Sequence, residues 1–382
     1  MAGYVFSMGG DGNAISSIKK CIKIGVYSTY IKSISSITFE GTMADYLSMK
    51  PGDNVYFFSK RKIYGIGELI KIGPDCKYCN YPNSSEEKNF SYEEISDSVL
   101  LDEGAESPQY RWLCIFKGSP YFFEEGIDTD EVLSYKPDTF KMLRAFWKLS
   151  FIKLGDEENQ SLKEIILLRH QSNINSKANI IPMDDSFHNE LINRPLNEYL
   201  IKPEKMLAYA TNEDKVTHEM ALEANVVYDL CNGGIPQLGH WNYVSHQVVA
   251  SPFKPIDYMD KIDVFATRTV NIADVNIVSK YLVAELKKDA ATIDTIDQVL
   301  KYVDWVRSEY AYGDYGSIQA CIIAAEFPEG ISKYIEKNVK RQYTTGSHPV
   351  KNIIWSDIIL LKYEYKDGKI NYKRVDEYPI ES

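Results

Sequence analysis

Apolar and polar positions along the chain change period several times, and each change marks an element. Gly3-Tyr4-Val5-Phe6-Ser7-Met8 is an apolar run of strand length, Gly9-Gly10-Asp11-Gly12 reads as the turn that ends it, and a helical pattern covers about 14–23. Beyond the turn Lys50-Pro51-Gly52-Asp53, the runs Val55-Tyr56-Phe57-Phe58 and 63–70 predict two strands paired across Ser59-Lys60-Arg61-Lys62. Residues 81–108 are polar, acidic and turn-rich and read as an insertion, after which Arg111-Trp112-Leu113-Cys114-Ile115-Phe116 resumes a strand. From 137 to 170 the spacing is helical, through Phe140, Leu143, Phe146-Trp147 and Phe151, then through Leu162, Ile165-Ile166 and Leu168.

Periodicity is lost over 171–205, where Asn, Ser, Pro and Asp crowd together. This predicts two domains, 1–170 and 206–382, joined by a 171–205 linker. The second domain opens with a helix over about 212–230, capped by Asn212, that sets Glu219 and Glu223 four apart on one face. A strand follows over 241–249, in which His246 reads as a hydrogen-bonded structural histidine. The runs 274–278 and 281–286, split by Ser279-Lys280, predict a hairpin, and period-two alternation then puts Tyr281, Val283, Glu285 and Lys287 on one face. Folding that hairpin back brings Asp274 alongside Glu285. A helix over 293–308 buries Ile296, Val299-Leu300, Val303 and Val306 and shows Gln298, Tyr302 and Trp305 on its other face. The run 317–325 reads as a strand covered on both faces, and strands near 353–355 and 358–365 close the domain.

Composition narrows the class. The 382 residues are 44% hydrophobic and 13% aromatic, which is a folded chain long enough for two domains. No apolar run approaches the roughly 18 residues that span a bilayer, and the N-terminus lacks a basic-then-apolar signal, so a cytoplasmic protein is expected. The six cysteines are scattered rather than framed for disulfides. Cys76-Lys77-Tyr78-Cys79 has half of a zinc-site spacing without a second half nearby, so no structural zinc is expected. The net charge of −11 argues against a nucleic-acid partner only until its distribution is seen: 86–131 holds thirteen Asp/Glu against three Lys/Arg, whereas 19–77 holds ten Lys/Arg against five Asp/Glu. The second stretch allows a local basic surface, and Lys60, Arg61 and Lys62 at its hairpin read either as a phosphate grip or as a solvated turn.

Chemistry concentrates at the predicted hairpin. Two carboxylates and a lysine at one end of a sheet suit Mg²⁺, which takes one or two carboxylates plus water and substrate phosphate rather than a closed protein cage. Glu-x-Lys by itself is a common solvated strand edge, so the pair needs its surroundings. Those surroundings are Asp274, then Glu285 and Lys287 on a hairpin, then Gln298 and Tyr302 on a helix. This order resembles the PD-(D/E)XK nuclease superfamily, and Val283-Ala284-Glu285-Leu286-Lys287-Lys288 with 296–303 is most similar to NucS-like nucleases and related restriction enzymes. The resemblance implies an α/β core with a mixed central sheet, Asp274 and Glu285 binding Mg²⁺ or Mn²⁺, catalytic Lys287, Gln298 lining the site and Glu223 joining the metal shell. Lys261-Ile262-Asp263-Val264-Phe265-Ala266 also resembles the family's Asp strand. Asp263 is therefore the alternative metal ligand, with Asp274 preferred because its hairpin is shorter.

In the first domain, Met49-Lys50-Pro51-Gly52-Asp53 with Val55, Phe57 and Phe58, followed by Gly65-Ile66-Gly67-Glu68, resembles EVE-like domains of the PUA/YTH/ASCH group. That resemblance implies a small β-barrel with helices that holds a modified base in an aromatic pocket. Phe6, Ser7 and Trp112 are the candidates to touch the base, because bases stack on aromatic rings. The expectation is an α+β two-domain endonuclease acting on DNA in preference to RNA, of a modification-dependent restriction or other prokaryotic defence type. Cutting both strands of a duplex would call for a homodimer. The rival readings are a nuclease switched on by a small nucleotide in the first domain, and an inactive nucleic-acid-binding protein.

Overall fold

The computed structural model describes residues 1–8, 14–30, 37–79, 111–145, 151–193, 196–204, 207, 210–250 and 260–375. Over these the chain divides into two units, Met1–Met206 and Leu207–Ser382. The expected turn at 9–12, the acidic insertion at 81–108 and residues 146–147 lie outside the described residues. No helix among the described residues is long and apolar enough to cross a membrane.

The first unit contains β1 (Gly3–Ser7), α1 (Ala14–Ile24), β2 (Val26–Tyr30), α2 (Ile37–Ser48), β3 (Asn54–Ser59), β4 (Lys62–Leu69), β5 (Lys77–Cys79), β6 (Arg111–Gly118), β7 (Phe151–Leu154), α3 (Asp156–Arg169) and α4 (Ser186–Ile192). Its main sheet runs β7-β1-β3-β4-β6-β2, with β5 also on β6. β1 and β3 are parallel, and the other neighbours are antiparallel. The β3–β4 turn falls at Lys60-Arg61, both left-handed, the backbone that a two-residue hairpin needs.

This sheet is curled. Tyr27 on β2, at one end of the ladder, stacks on Phe6 of β1 at 4.5 Å and meets Phe151 of β7, at the other end, at 5.8 Å. The ladder itself stays open, since β7 and β2 do not pair. Phe6 and Trp112, expected to touch a base, are both fully buried inside this curl. Phe6 is enclosed by Tyr27, Phe57 and Phe151, and Trp112 is edge-on to Tyr46 at 5.3 Å. Their ring faces are covered by protein, because large aromatics contribute most when desolvated in a core. Phe151, read as helical, is a strand residue that pairs with Phe6.

The described residues of the 171–205 stretch, expected as a linker, belong to the first unit. Phe187 and Leu191 of α4, with Leu196 and Tyr199 beyond it, pack on Val26, Ile72, Tyr78, Leu113 and Ile115. Polar residues hide the periodicity of this stretch, but four large apolar side chains are enough to dock it on the sheet.

α3 carries a buried acid. Glu158 accepts the Met142 N–H at 2.8 Å and the Leu143 N–H at 3.4 Å through one oxygen, and burial pushes its carboxyl up to about 7. Below the unfolded pKa, near 4.5, both states are neutral and the group adds no pH dependence. As pH rises from there to about 7, only the unfolded chain ionises, so stability falls by roughly 3 kcal/mol in all. Glu158→Gln keeps the accepting oxygen and does not titrate. The variant should therefore gain about 3 kcal/mol on wild type between about pH 4 and about pH 8 in denaturant unfolding. An unchanged difference at the two pH values would contradict this.

The second unit contains α5 (Glu219–Asn232), β8 (Tyr243–Val249), β9 (Lys261–Ile272), β10 (Val275–Ala290), α6 (Ile293–Glu309), β11 (Ile318–Glu326), β12 (Arg341–Thr345), β13 (Lys351–Trp355), β14 (Ile358–Lys366) and β15 (Lys369–Arg374). Its six-stranded mixed sheet runs β8-β9-β10-β11-β14-β15, with β10, β11 and β14 parallel. β12 and β13 form a separate hairpin. Asn212 does not cap α5: Thr211-Asn212 pairs with Lys215-Val216 in a tight hairpin, and the helix starts seven residues later.

The central hairpin differs most from the expectation. β9 and β10 are continuous over 12 and 16 residues and turn at Ala273-Asp274, both left-handed. Ser279-Lys280 is not the turn. Arg268 pairs with Lys280 and Thr269 with Val278, so Ser279 is the extra residue of a β-bulge, with its hydroxyl on the Arg268 carbonyl at 3.1 Å.

Candidate active site

Glu285 and Lys287 stand two apart on β10, so alternation points both to one face, and α5 crosses that face with Glu219 and Glu223. Lys287 Nζ donates to Glu285 Oε1 at 2.8 Å and lies 3.7 Å from Glu219 Oε1. Glu219 also accepts the Lys288 N–H at 3.0 Å, which ties the start of α5 to β10.

The aspartate of the site comes from β9. Val264 pairs with Ala284, which sets Asp263 opposite Glu285 one step further along. Its Oδ2 accepts the Leu286 N–H at 2.8 Å, so the carboxylate is held against the β10 backbone. Asp274 is elsewhere. It occupies the hairpin tip, eleven positions from Glu285, and at strand rise that is roughly 35 Å away. The expected Asp274–Glu285 juxtaposition is therefore replaced by Asp263–Glu285, because the chain turns at 273–274 and not at 279–280.

The carboxylates strain one another. Burial, and then the charges of Glu285 and Glu223, raise Asp263 well above the ordinary carboxylate range. Glu285, 1% exposed, is raised by burial despite the Lys287 hydrogen bond. Burial works against the Lys287 ammonium, but the hydrogen bond to Glu285 and the surrounding carboxylates outweigh it and lift its pKa. One oxygen is left over: among the described residues no N–H or hydroxyl donor reaches the buried Glu285 Oε2, and Asp263 is the group placed to share a proton with this carboxyl. A buried carboxylate oxygen beside a second carboxylate is satisfied by a shared proton or by a cation.

These residues fit a hard divalent ion. Asp263 and Glu285 are two adjacent carboxylates, and the charged groups acting on Glu285 are Lys287, Glu219 and Asp263. Among the described residues no three His, Cys, Asp or Glu side chains gather as a ready ligand set. Two carboxylates completed by water and substrate are what Mg²⁺ uses.

Glu223, expected in the metal shell, has both oxygens engaged. Oε1 takes His246 Nδ1 at 2.6 Å, and Oε2 takes Gln247 Nε2 at 2.8 Å. Gln298 donates to the Tyr302 hydroxyl at 2.8 Å on α6. That phenol is pushed up by burial and further by the Glu285, Asp263 and Asp260 charges, so the Gln298–Tyr302 pair is within electrostatic reach of the carboxylates. Sequence reasoning misses Gln247, for which the chain carries no local signal.

In the first unit, Ser7 is at the end of β1, and Lys60, Arg61 and Lys62 are exposed at the β3–β4 turn. Arg61 pairs with Asp130 across that surface, which leaves Lys60 and Lys62 as the outward charges of the turn.

No model of a known protein family matches this chain, and no curated protein matches it. Two solved structures are similar in part. One is the crystal structure of a repair endonuclease from Pyrococcus abyssi, 24% identical over 34% of this chain and 46% of that one, with a TM-score of 0.21. The other is the structure of a hypothetical protein from Leishmania major, 12% identical over 46% of this chain and 97% of that one, with a TM-score of 0.26. The matched part spans less than half of the endonuclease chain, and at these TM-scores the two likenesses assign neither a family nor an activity.

Proposed function

We propose that the second unit is a metal-dependent endonuclease that hydrolyses phosphodiester bonds, with DNA as its preferred substrate. The observation that carries this reading is the Glu285 carboxylate, buried with one oxygen unsatisfied between Asp263 on the next strand and the Lys287 ammonium. Asp263 and Glu285 would hold Mg²⁺ or Mn²⁺. A divalent cation supplies Lewis-acid stabilisation of the phosphate and lowers the pKa of the attacking water. Water adds to phosphorus as the ester P–O bond breaks, and negative charge builds on the phosphoryl oxygens. Lys287, held in place by Glu285, is a fixed positive charge for those oxygens. The Gln298 amide, held on the buried Tyr302 hydroxyl, would orient water or phosphate. The first unit, with Lys60 and Lys62 outward at its β3–β4 turn, would contact nucleic-acid phosphate.

The test is cleavage of plain duplex DNA, cytosine-modified duplex DNA, single-stranded DNA and RNA by the full chain, each with Mg²⁺, with Mn²⁺ and with EDTA. We expect cutting with either metal and none in EDTA, fastest on duplex DNA. Cutting that persists in EDTA, or no cutting of any substrate with either metal, would overturn the reading.

A further inference from the structure

Gln247 sits directly opposite Asp263, yet the two are not a ladder pair. His246 pairs with Val264 and Val248 with Ile262, so the register passes through unshifted while the pairing lapses at this one position. The reason is local: the Gln247 backbone is left-handed, at φ 50°, a conformation that a side-chain-bearing residue rarely takes inside a strand. Successive side chains of a strand normally point to opposite faces. Here His246 and Gln247 both reach Glu223, at 2.6 Å and 2.8 Å, because the left-handed residue turns its side chain back to the face that its neighbour uses.

The second hydrogen of the same amide points at Asp263. Gln247 Nε2 lies 3.4 Å from Asp263 Oδ1, while Asp263 Oδ2 takes the Leu286 N–H at 2.8 Å. Both oxygens of this aspartate are thus directed, one by the β10 backbone and one by Gln247. Gln247 is in turn oriented by Glu223, whose other oxygen is held by the buried His246. Side chains that orient a metal ligand in this way tune affinity without touching the ion.

Resting on the metal-dependent reading above, we infer that Gln247 is a positioning residue that aims Asp263 at the cation. Glu223, whose two oxygens take short bonds of 2.6 and 2.8 Å while Asp263 Oδ1 has only the long 3.4 Å contact to Gln247, serves on this account as its buried anchor. Strain is kept in the backbone at 247 because the side chain is needed on this face.

The test removes the side chain and keeps the backbone. Gln247→Gly accepts a left-handed φ without strain. Mn²⁺ binding to the full-length variant is measured by calorimetry without substrate, beside wild type and Asp263→Asn, with thermal melts of all three proteins in EDTA. We expect wild type to bind Mn²⁺, Asp263→Asn to lose binding, and Gln247→Gly to bind roughly 10- to 100-fold more weakly. Its metal-free melting temperature balances relief of backbone strain against loss of the donor to buried Glu223, so the positioning role is read from the Mn²⁺ affinity, which a merely structural Gln247 would leave at the wild-type value once the variant is folded. Glu223→Gln, which turns one acceptor of the anchor into a donor, should weaken Mn²⁺ binding in the same direction. Wild-type affinity in Gln247→Gly, with binding lost in Asp263→Asn, overturns the positioning role and leaves the metal site standing. No Mn²⁺ binding by wild type overturns both.

Discussion

Asparagine at position 263 should lower metal-dependent cleavage by roughly 10³-fold, whereas asparagine at position 274 should leave it unchanged within about twofold. The two substitutions are chemically identical and differ only in place. Asp263 is fixed beside Glu285 by the Leu286 N–H, and in Asp263→Asn the amide oxygen can keep that bond while the ligand charge is gone. Asp274 is at a left-handed turn position that asparagine occupies as readily as aspartate, remote from every residue of the site. Steady-state cleavage of one duplex substrate with Mg²⁺ separates them. Loss of activity in Asp274→Asn comparable to that in Asp263→Asn would put the metal ligand at the wrong residue.

Glu285→Ala and Lys287→Ala should each reduce cleavage by roughly 10³-fold, yet they should part company in stability. Removing Glu285 takes one carboxyl out of a crowded cluster and leaves Lys287 beside Glu219, so the metal-free protein should melt no lower than wild type. Removing Lys287 leaves Glu285 buried next to Asp263 with neither oxygen paired to a cation, which should cost about 1–3 kcal/mol near neutral pH. Thermal melts in EDTA beside the cleavage assay read both effects. Retention of more than about a tenth of the activity in either variant would remove that residue from the reaction.

How much of this site could be read in advance depends on the range over which each feature is decided. Glu285 and Lys287 were legible because period two acts over three residues, and apolar flanks mark the strand as buried on its other face. Gln298 and Tyr302 were legible on α6 by helical spacing, and their hydrogen bond at 2.8 Å is an i, i+4 contact. The partner aspartate was not. Ser279-Lys280 breaks an apolar run as a turn would, but a bulge breaks it in the same way, and only pairing across β9 tells them apart. Once the turn moves to Ala273-Asp274, the alternative Asp263 becomes the residue opposite Glu285.

The aromatic residues of the first unit teach the same lesson. Phe6 and Trp112 have the composition of a base-stacking pocket, and equally of a core. The curl that brings Tyr27 onto Phe6 decides for the core. Residues 171–205 have the composition of a linker, yet Phe187, Leu191, Leu196 and Tyr199 find a sheet surface to cover. Gln247 carries no signature at all, since nothing in His246-Gln247-Val248 announces a left-handed strand residue.

The sequence by itself determined the strand bearing Glu285 and Lys287, the helix bearing Gln298 and Tyr302, and the hairpin at Lys60-Arg61. Side-chain period and turn chemistry act over a handful of residues, so they are written locally. Only the tertiary structure decided which aspartate faces Glu285, which way Gln247 points, where Phe6 and Trp112 are spent, and where the first unit ends. Those are outcomes of strand pairing and sheet curvature, in which residues far apart in sequence compete to be buried together, and the winner is set by the whole fold.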